Sequence, residues 1–205
     1  MTGARRHGDA GQAFPIYIMV VAGLLFLALA FLAVGQAAAN RNGAQTAADA
    51  AALAAALDTR DELTDKWVES ILDPTKWQDI FNGVGVEFNG CARADELAAQ
   101  NDATTLGCQS LAGLHPGYKV EVKTNKSVGD SIVPGVEGKR STETATAIIE
   151  RLCDFKLPGE DADADVLPKL ICEDGREWTL DPEHLTDLPG PEDLFDVHLA
   201  RATDE

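Results

Sequence analysis

The 205-residue sequence has few of the patterns that build catalytic or nucleotide-binding sites. Its four histidines form neither a His-x-x-x-His nor a His-Glu-x-x-His pair. It also contains no Gly-x-Ser-x-Gly elbow, no phosphate-binding loop and no dinucleotide fingerprint. We therefore expect a protein that is not an enzyme and needs no cofactor. The histidines, expected to serve the surface or packing, are His7, His115, His184 and His198.

Basic residues are scarce: 17 Lys and Arg stand against 34 Asp and Glu, for a net charge of −17. From Leu152 to Glu205 the chain has 16 acidic and 4 basic residues. Such a surface repels nucleic acid and anionic lipid headgroups, so no nucleic-acid partner is expected. The favoured interpretation is a solvated acidic face, and the alternative is recruitment of a basic partner.

Metal-binding spacing is also lacking. The run Asp161-Ala162-Asp163-Ala164-Asp165 resembles the start of an EF-hand loop, but Val166 and Cys172 stand where Gly and Glu are needed. Without Cys-x-x-Cys or a nearby His, the cysteines do not fit a zinc site. We therefore expect no metal site, and we interpret the aspartate run as part of a linker.

Charge is absent from Phe14 to Val34, a run long enough to cross a bilayer as a helix of about 31 Å. Arg5 and Arg6 precede it, so the N-terminus is expected in the cytoplasm and the rest outside the cell membrane. A cleaved signal peptide is the alternative, because residues 37–39 are small. The apolar run is longer than a signal peptide needs, which favours a retained anchor.

The residues after the span predict more helix and then strands. Gln36 to Leu57 is mostly Ala and predicts a continuing helix. A capping-box pattern at Thr59–Glu62 predicts a second helix that ends before Pro74, and short helices are expected from Trp77 and from Ala92 to Gln100.

Alternating apolar residues predict strands at Val84–Phe88, Tyr118–Lys123 and Thr142–Leu152, the last two as an antiparallel pair. Leu170–Cys172 and Glu177–Leu180 flank an Asp-Gly turn and predict a hairpin.

Four cysteines in the part placed outside the cell argue for two disulfides that compensate for a small core. Three pairings are open from sequence alone. We favour Cys91–Cys108 and Cys153–Cys172, because each closes a short loop worth about 3 kcal/mol in the chain-entropy model.

The N-terminal region resembles the TadE/TadG-like proteins of Flp (tight-adherence) pilus assembly. The resemblance lies in Gly11-Gln12, the apolar span and the block from Ala44 to Ala56. The positions that fit the family's Gln and Ala-Ala-Asp-Ala-Ala-Ala-Leu pattern are Gln45, Ala47, Ala48, Asp49, Ala50, Ala51, Ala52 and Leu53.

The resemblance implies a pilin-like plan, with one long helix anchored in the membrane and supporting an external sheet. Family members that are processed are cut after a Gly and carry Glu at the fifth mature position, which is Ile16 here. This departure favours an anchored, TadG-like subunit. The Asp-x-Ser-x-Ser motif of longer members does not occur, so metal-dependent adhesion is not implied.

We therefore expect an α+β protein: one transmembrane helix continuing into a long Ala-rich helix, then a small antiparallel-sheet ectodomain with two disulfides. The expected parts are residues 1–13 (cytoplasmic), 14–35 (span), 36–58 (stalk), 59–156 (α+β domain) and 157–205 (acidic linker, hairpin and tail).

The expected function is that of a structural component of a Flp/Tad-type pilus or related secretion apparatus in the cell membrane. Its expected partners are the lipid bilayer and other pilus-assembly membrane proteins, with homo-oligomerisation left open. The alternatives are a processed minor pilin and a tethered ligand-binding module or hydrolase. The assembly candidates are Gln45, Ala47, Ala48, Asp49, Ala51, Ala52 and Leu53, with Glu at Ala51 and Ala52 expected to weaken complex formation.

Overall fold

The computed structural model describes residues 13–113, 116–127, 138–157, 159 and 166–200. Four α-helices lie within these ranges, with a 3₁₀ turn at Pro74–Lys76: α1 Ala13–Glu69, α2 Trp77–Phe81, α3 Cys91–Gln100 and α4 Pro191–Leu194. The strands are β1 Ala103–Leu111, β2 Gly117–Thr124, β3 Thr142–Arg151, β4 Cys153–Phe155, β5 Leu170–Cys172, β6 Glu177–Trp178 and β7 Phe195–Leu199.

Helix α1 is continuous for 57 residues, or about 85 Å. The sequence predicted that it would end near Leu57 and that Thr59 would cap a second helix; this was wrong, because no Pro or Gly interrupts the chain there. Thr59 is buried inside α1, and its hydroxyl shares a 2.8 Å hydrogen bond with the hydroxyl of Tyr118. The capping-box residues thus form a helix interior that packs on the sheet.

The main sheet is antiparallel with strand order β1-β2-β3-β7. The predicted pairing of β2 with β3 is confirmed, with Val120 opposite Ala145 and Tyr118 opposite Ala147. These four side chains are buried and face α1, whereas Lys119 and Glu121 alternate with them on the exposed face. The second half of α1 therefore packs across one face of the sheet.

A second sheet has the order β4-β5-β6 and contains the predicted hairpin around Gly175, whose φ of 83° suits a tight turn. The favoured disulfides are both confirmed. Cys91–Cys108 joins α3 to β1, and Cys153–Cys172 joins register partners on β4 and β5. The expected α+β class, with antiparallel sheets and two disulfides, is therefore confirmed.

The predicted strand at Val84–Phe88 is wrong, because Gly83 and Gly85 adopt positive φ angles of 73° and 79° and turn the chain. Val86 is buried while Val84 is exposed, so the alternation reflects a loop that touches the core once. The terminal apolar residues, interpreted as a tail, instead form β7, which pairs with β3.

A cluster of aromatic rings packs at the end of the domain where α1 ends. Trp67 of α1 lies edge-on to Trp77 with ring centroids 5.5 Å apart, and Phe81 makes similar contacts with Phe155 and Phe195 at 5.8 and 5.4 Å. Edge-to-face ring pairs of this kind stabilise a fold by more than the burial of their apolar area alone. This cluster joins α1, α2 and both sheets.

Candidate anchoring and assembly surfaces

The first part of α1, from Phe14 to Ala39, is exposed or half-exposed throughout. Its large side chains include Phe31 at 82% and Met19 at 78% exposure. By length and composition this helix can cross a membrane, and its most apolar window is not covered by any other described residue. Such a surface needs lipid or other apolar helices to cover it.

The second part of α1 presents a face of small residues to its own domain. Gly90 shows how close the approach is, because a Cβ there would lie 2.3 Å from the carbonyl oxygen of Ala55. Side chains larger than alanine would hold these backbones apart. The fully buried alanines of this face are Ala44, Ala47, Ala48, Ala51, Ala52, Ala55 and Ala56.

Four of the predicted assembly residues, Ala47, Ala48, Ala51 and Ala52, therefore lie in the core of this chain. Glutamate at Ala51 and Ala52 would bury two carboxylates without partners, which destabilises the domain itself. These two positions consequently cannot report on assembly separately from folding.

The other three predicted assembly residues lie at the border of the buried face. The Gln45 amide donates a 2.7 Å hydrogen bond to the Asp49 carboxylate one turn later on α1. Leu53 is half-buried and lines an open groove between α1 and α3. The structure thus leaves Gln45, Asp49 and Leu53 within reach of another molecule.

The groove between α1 and α3 has an apolar floor and a mostly acidic rim. Leu53, Ala54 and Leu57 of α1 face Leu97 of α3 across it. The remaining lining residues are Ala50, Asp58, Asp61 and Arg93. The sequence identified Leu53 but not the α3 side, because the docking of α3 on α1 has no local signal in the sequence. We call this surface the α1–α3 groove.

Asn40 fixes the start of the domain on the helix. Its amide nitrogen donates to the Lys126 carbonyl at 3.0 Å, and its oxygen accepts from the Ser141 hydroxyl at 2.7 Å and backbone N–H at 3.2 Å. The neighbouring Arg41 pairs with Glu143 at 2.8 Å. The base of the β2–β3 hairpin is therefore attached to α1 only five residues after Gly35, the last residue of the expected span. Sequence reasoning missed this role of Asn40.

A second polar group lies in the core, where the Tyr118 hydroxyl meets Thr59 and accepts a 3.0 Å hydrogen bond from the Gly90 N–H. Burial raises the pKa of Tyr118, and the two hydrogen bonds oppose that increase only in part. This group connects α1, β2 and the start of α3, and the side chains of Thr59 and Tyr118 are fully buried. We interpret it as structural.

The described residues contain no cluster of three or more His, Cys, Asp or Glu side chains arranged to hold a metal ion. His184 contacts Asp181 at 3.0 Å and His198 contacts Asp196 at 2.8 Å, each a local surface pair. Backbone hydrogen bonding from Glu183, with a further bond from His184, lowers the pKa of Asp181. His7, His115 and the Asp161–Asp165 run lie outside the described ranges.

Comparison with known proteins adds one finding. No curated protein and no solved structure matches the chain. The model of a family described as TadE/G-like proteins of Flp pilus assembly matches residues 11–58, just under a quarter of the sequence. The matched segment contains the bare span and the whole alanine face, so it supports a role related to Flp/Tad pilus assembly.

Proposed function

We propose that the protein is a membrane-anchored structural component of a Flp/Tad-type pilus or related secretion apparatus, and that it is not an enzyme. The observation that carries the proposal is helix α1, whose bare apolar start is continuous with a second part buried in the folded domain. The match of residues 11–58 to the pilus-assembly family supports the same role.

The continuous helix gives the protein its mechanical property. A helix with no break between the span and the domain transmits the position and tilt of the span directly to the sheet. Asn40 and Arg41 restrain the sheet at the point where the helix enters the domain. A subunit of this kind positions its domain at a set height above the bilayer, which suits an assembly scaffold.

The proposed orientation places the N-terminus in the cytoplasm and the domain outside the cell membrane. Arg5 and Arg6 on the N-terminal side favour it through the positive-inside rule. The two disulfides also favour it, because such bonds persist in oxidising, extracytoplasmic compartments.

The proposed assembly contacts are the bare span and the α1–α3 groove. Both belong to the same helix, so a neighbouring subunit that packs along the span can continue into the groove. Leu53 and Leu57 provide the apolar anchors there. On the same helix, Asp49 lies about one turn and Gln45 just over two turns before Leu53. These contacts take the place of the alanines among the predicted assembly residues, because those alanines are buried inside the domain.

The test is co-purification of the cell's own Flp/Tad assembly membrane proteins with the full-length chain, after mild crosslinking in membranes. We expect the Leu53→Asp, Leu57→Asp double variant to reduce recovery of these proteins about tenfold or more, because apolar anchors dominate interfaces. A matched control is Leu72→Asp with Val84→Asp, two exposed apolar positions away from the groove.

Recovery with the control variant should equal that of the wild type. If the wild type does not recover identified Flp/Tad components, the proposed function is wrong. If the wild type recovers these components and the groove variant recovers them equally well, the proposed role in a Flp/Tad apparatus is retained. The α1–α3 groove is then not the contact surface.

A further inference from the structure

Basic residues gather at the end of the domain next to the membrane span, although the chain as a whole is strongly acidic. We propose that this end binds anionic phospholipid headgroups of the bilayer in which the protein is anchored. We call the surface the basic collar; it consists of Arg41, Lys123, Lys126, Lys139 and Arg140. The inference rests on the anchoring part of the proposed function and not on the identity of the apparatus.

The position of the collar follows from the hydrogen bonds of Asn40. This side chain holds the Lys126 carbonyl and the Ser141 backbone, so both sides of the β2–β3 hairpin base lie beside the helix at that level. Asn40 is five residues beyond Gly35, which is about 8 Å along the helix axis. The polar headgroup layer is of similar thickness on each side of the hydrocarbon core. The collar therefore lies at headgroup height.

The local charge has the sign that anionic lipid needs. Within the described residues, two cations of the collar are paired with carboxylates: Arg41 with Glu143 at 2.8 Å, and Lys126 with Asp102 at 2.5 Å. The three remaining side chains, Lys123, Lys139 and Arg140, are exposed. Long basic side chains of this kind extend their charged ends to the headgroup layer. Asp130 and Glu137 belong to residues 128–137, outside the described ranges.

The acidic part of the chain does not cancel this attraction. Strand β3 leads away from the collar for ten residues, or about 33 Å, before the acidic second sheet begins. That distance is several Debye lengths at physiological ionic strength. The sequence predicted that the acidic surface from Leu152 to Glu205 repels anionic lipid. In the fold, the second sheet, which carries part of that charge, begins at the end of β3 that lies away from the collar.

The collar also leaves the proposed orientation unaffected. Positive residues influence membrane topology when they lie in short segments near the span. Lys123, Lys139 and Arg140 lie far from the span in sequence and reach it only when the domain has folded. Insertion would therefore depend on Arg5 and Arg6, and lipid binding would follow folding.

The experiment uses the full-length chain in phosphatidylcholine vesicles that contain spin-labelled phosphatidylglycerol or spin-labelled phosphatidylcholine. Electron paramagnetic resonance gives the fraction of each lipid that the protein immobilises, and hence the preference for phosphatidylglycerol. We compare the wild type with the Lys123→Gln, Lys139→Gln, Arg140→Gln triple variant. The matched control is Lys76→Gln, Lys156→Gln, Lys169→Gln, which removes the same charge from exposed residues outside the collar.

We expect the preference of the wild type for phosphatidylglycerol to exceed that of the triple variant by about fivefold, which is the effect of one fully engaged cation. The control variant should show the same preference as the wild type. The difference should shrink in 1 M salt, where the Debye length is about 3 Å. Equal preferences for phosphatidylglycerol in the wild type and the triple variant would overturn the proposal. This is also the result expected if the collar binds an acidic protein instead of lipid. A wild type that immobilises neither lipid would overturn both this inference and membrane anchoring.

Discussion

At the scale of single residues, the Tyr118 hydroxyl has the clearest energetic role. It is fully buried between Thr59 and Gly90, and its pKa is raised because burial disfavours the phenolate. The unfolded chain has the ordinary value near 10. The stabilising contribution of the neutral group is therefore fully present below about pH 10 and is lost as the pH rises through the higher, folded pKa.

We expect the free energy of unfolding to fall with pH above 10, at up to about 1.4 kcal/mol per pH unit from this group. The Tyr118→Phe variant should lack this component of the slope. It should also be less stable at neutral pH by about 1–3 kcal/mol, because Gly90 and Thr59 lose a buried partner.

Urea unfolding in mild detergent, followed by tryptophan fluorescence, measures both effects, since Trp67, Trp77 and Trp178 all lie in the domain. Tyr17→Phe, which changes the chain's other tyrosine, is the control and should keep the wild-type slope. An unchanged alkaline slope in Tyr118→Phe would show that the phenol is not buried as described.

Gly90 is the second residue with a specific requirement, because the contact with the Ala55 carbonyl leaves no room for a Cβ. We expect Gly90→Ala to lower the free energy of unfolding by about 1–3 kcal/mol through overpacking. Gly107→Ala is the control, since a Cβ there meets nothing within 4 Å. Equal stability of the two variants in the same urea assay would contradict the close packing of α3 on α1.

At the scale of elements, the two disulfides stabilise different parts of the domain. Cys91–Cys108 closes a loop with a sequence separation of 17 and holds α3 on β1, while Cys153–Cys172 closes one of 19 and holds the second sheet together. Loops of similar length should contribute similarly in the chain-entropy model.

We expect the double replacements Cys91→Ala with Cys108→Ala, and Cys153→Ala with Cys172→Ala, each to cost about 3 kcal/mol of unfolding free energy. Urea unfolding of each variant, with the oxidised wild type as reference, gives the values. A loss well below 1 kcal/mol for either pair would mean that the surrounding packing already holds those elements together.

The elements also show which parts of the fold are encoded locally. Alternation in Tyr118–Lys123 and Thr142–Leu152 predicted β2, β3 and their pairing, because one face of each strand is buried. Strand β1 escaped prediction: a register shift between Thr105 and Gly107 interrupts its alternation. A run of alanines, in turn, cannot indicate which side of the helix is covered.

The candidate surfaces were less predictable than the fold, for a related reason. The residues of the collar and of the α1–α3 groove come from distant parts of the chain, and only tertiary packing brings them together. The pattern Thr59–Glu62 was misleading because a capping box and a helix interior can have the same residues when no helix breaker lies between them.

At the scale of the whole molecule, the helix organises everything else. Its bare start would lie in lipid, its middle enters the domain at Asn40, and its end closes against the aromatic cluster at Trp67. Charge follows the same axis, with the basic collar beside the bare start of the helix and the acidic second sheet at the far end. The proposed role requires that this helix stay whole in the mature protein.

The intact mass of the chain extracted from washed membranes, measured before and after reduction and alkylation, tests this requirement most directly. We predict a chain that keeps residues 1–11 and the whole span, with four cysteines that react only after reduction. A membrane form that begins at Gln12 would indicate a processed pilin. A soluble form in the medium that begins near Asn40 would contradict the anchored helix altogether.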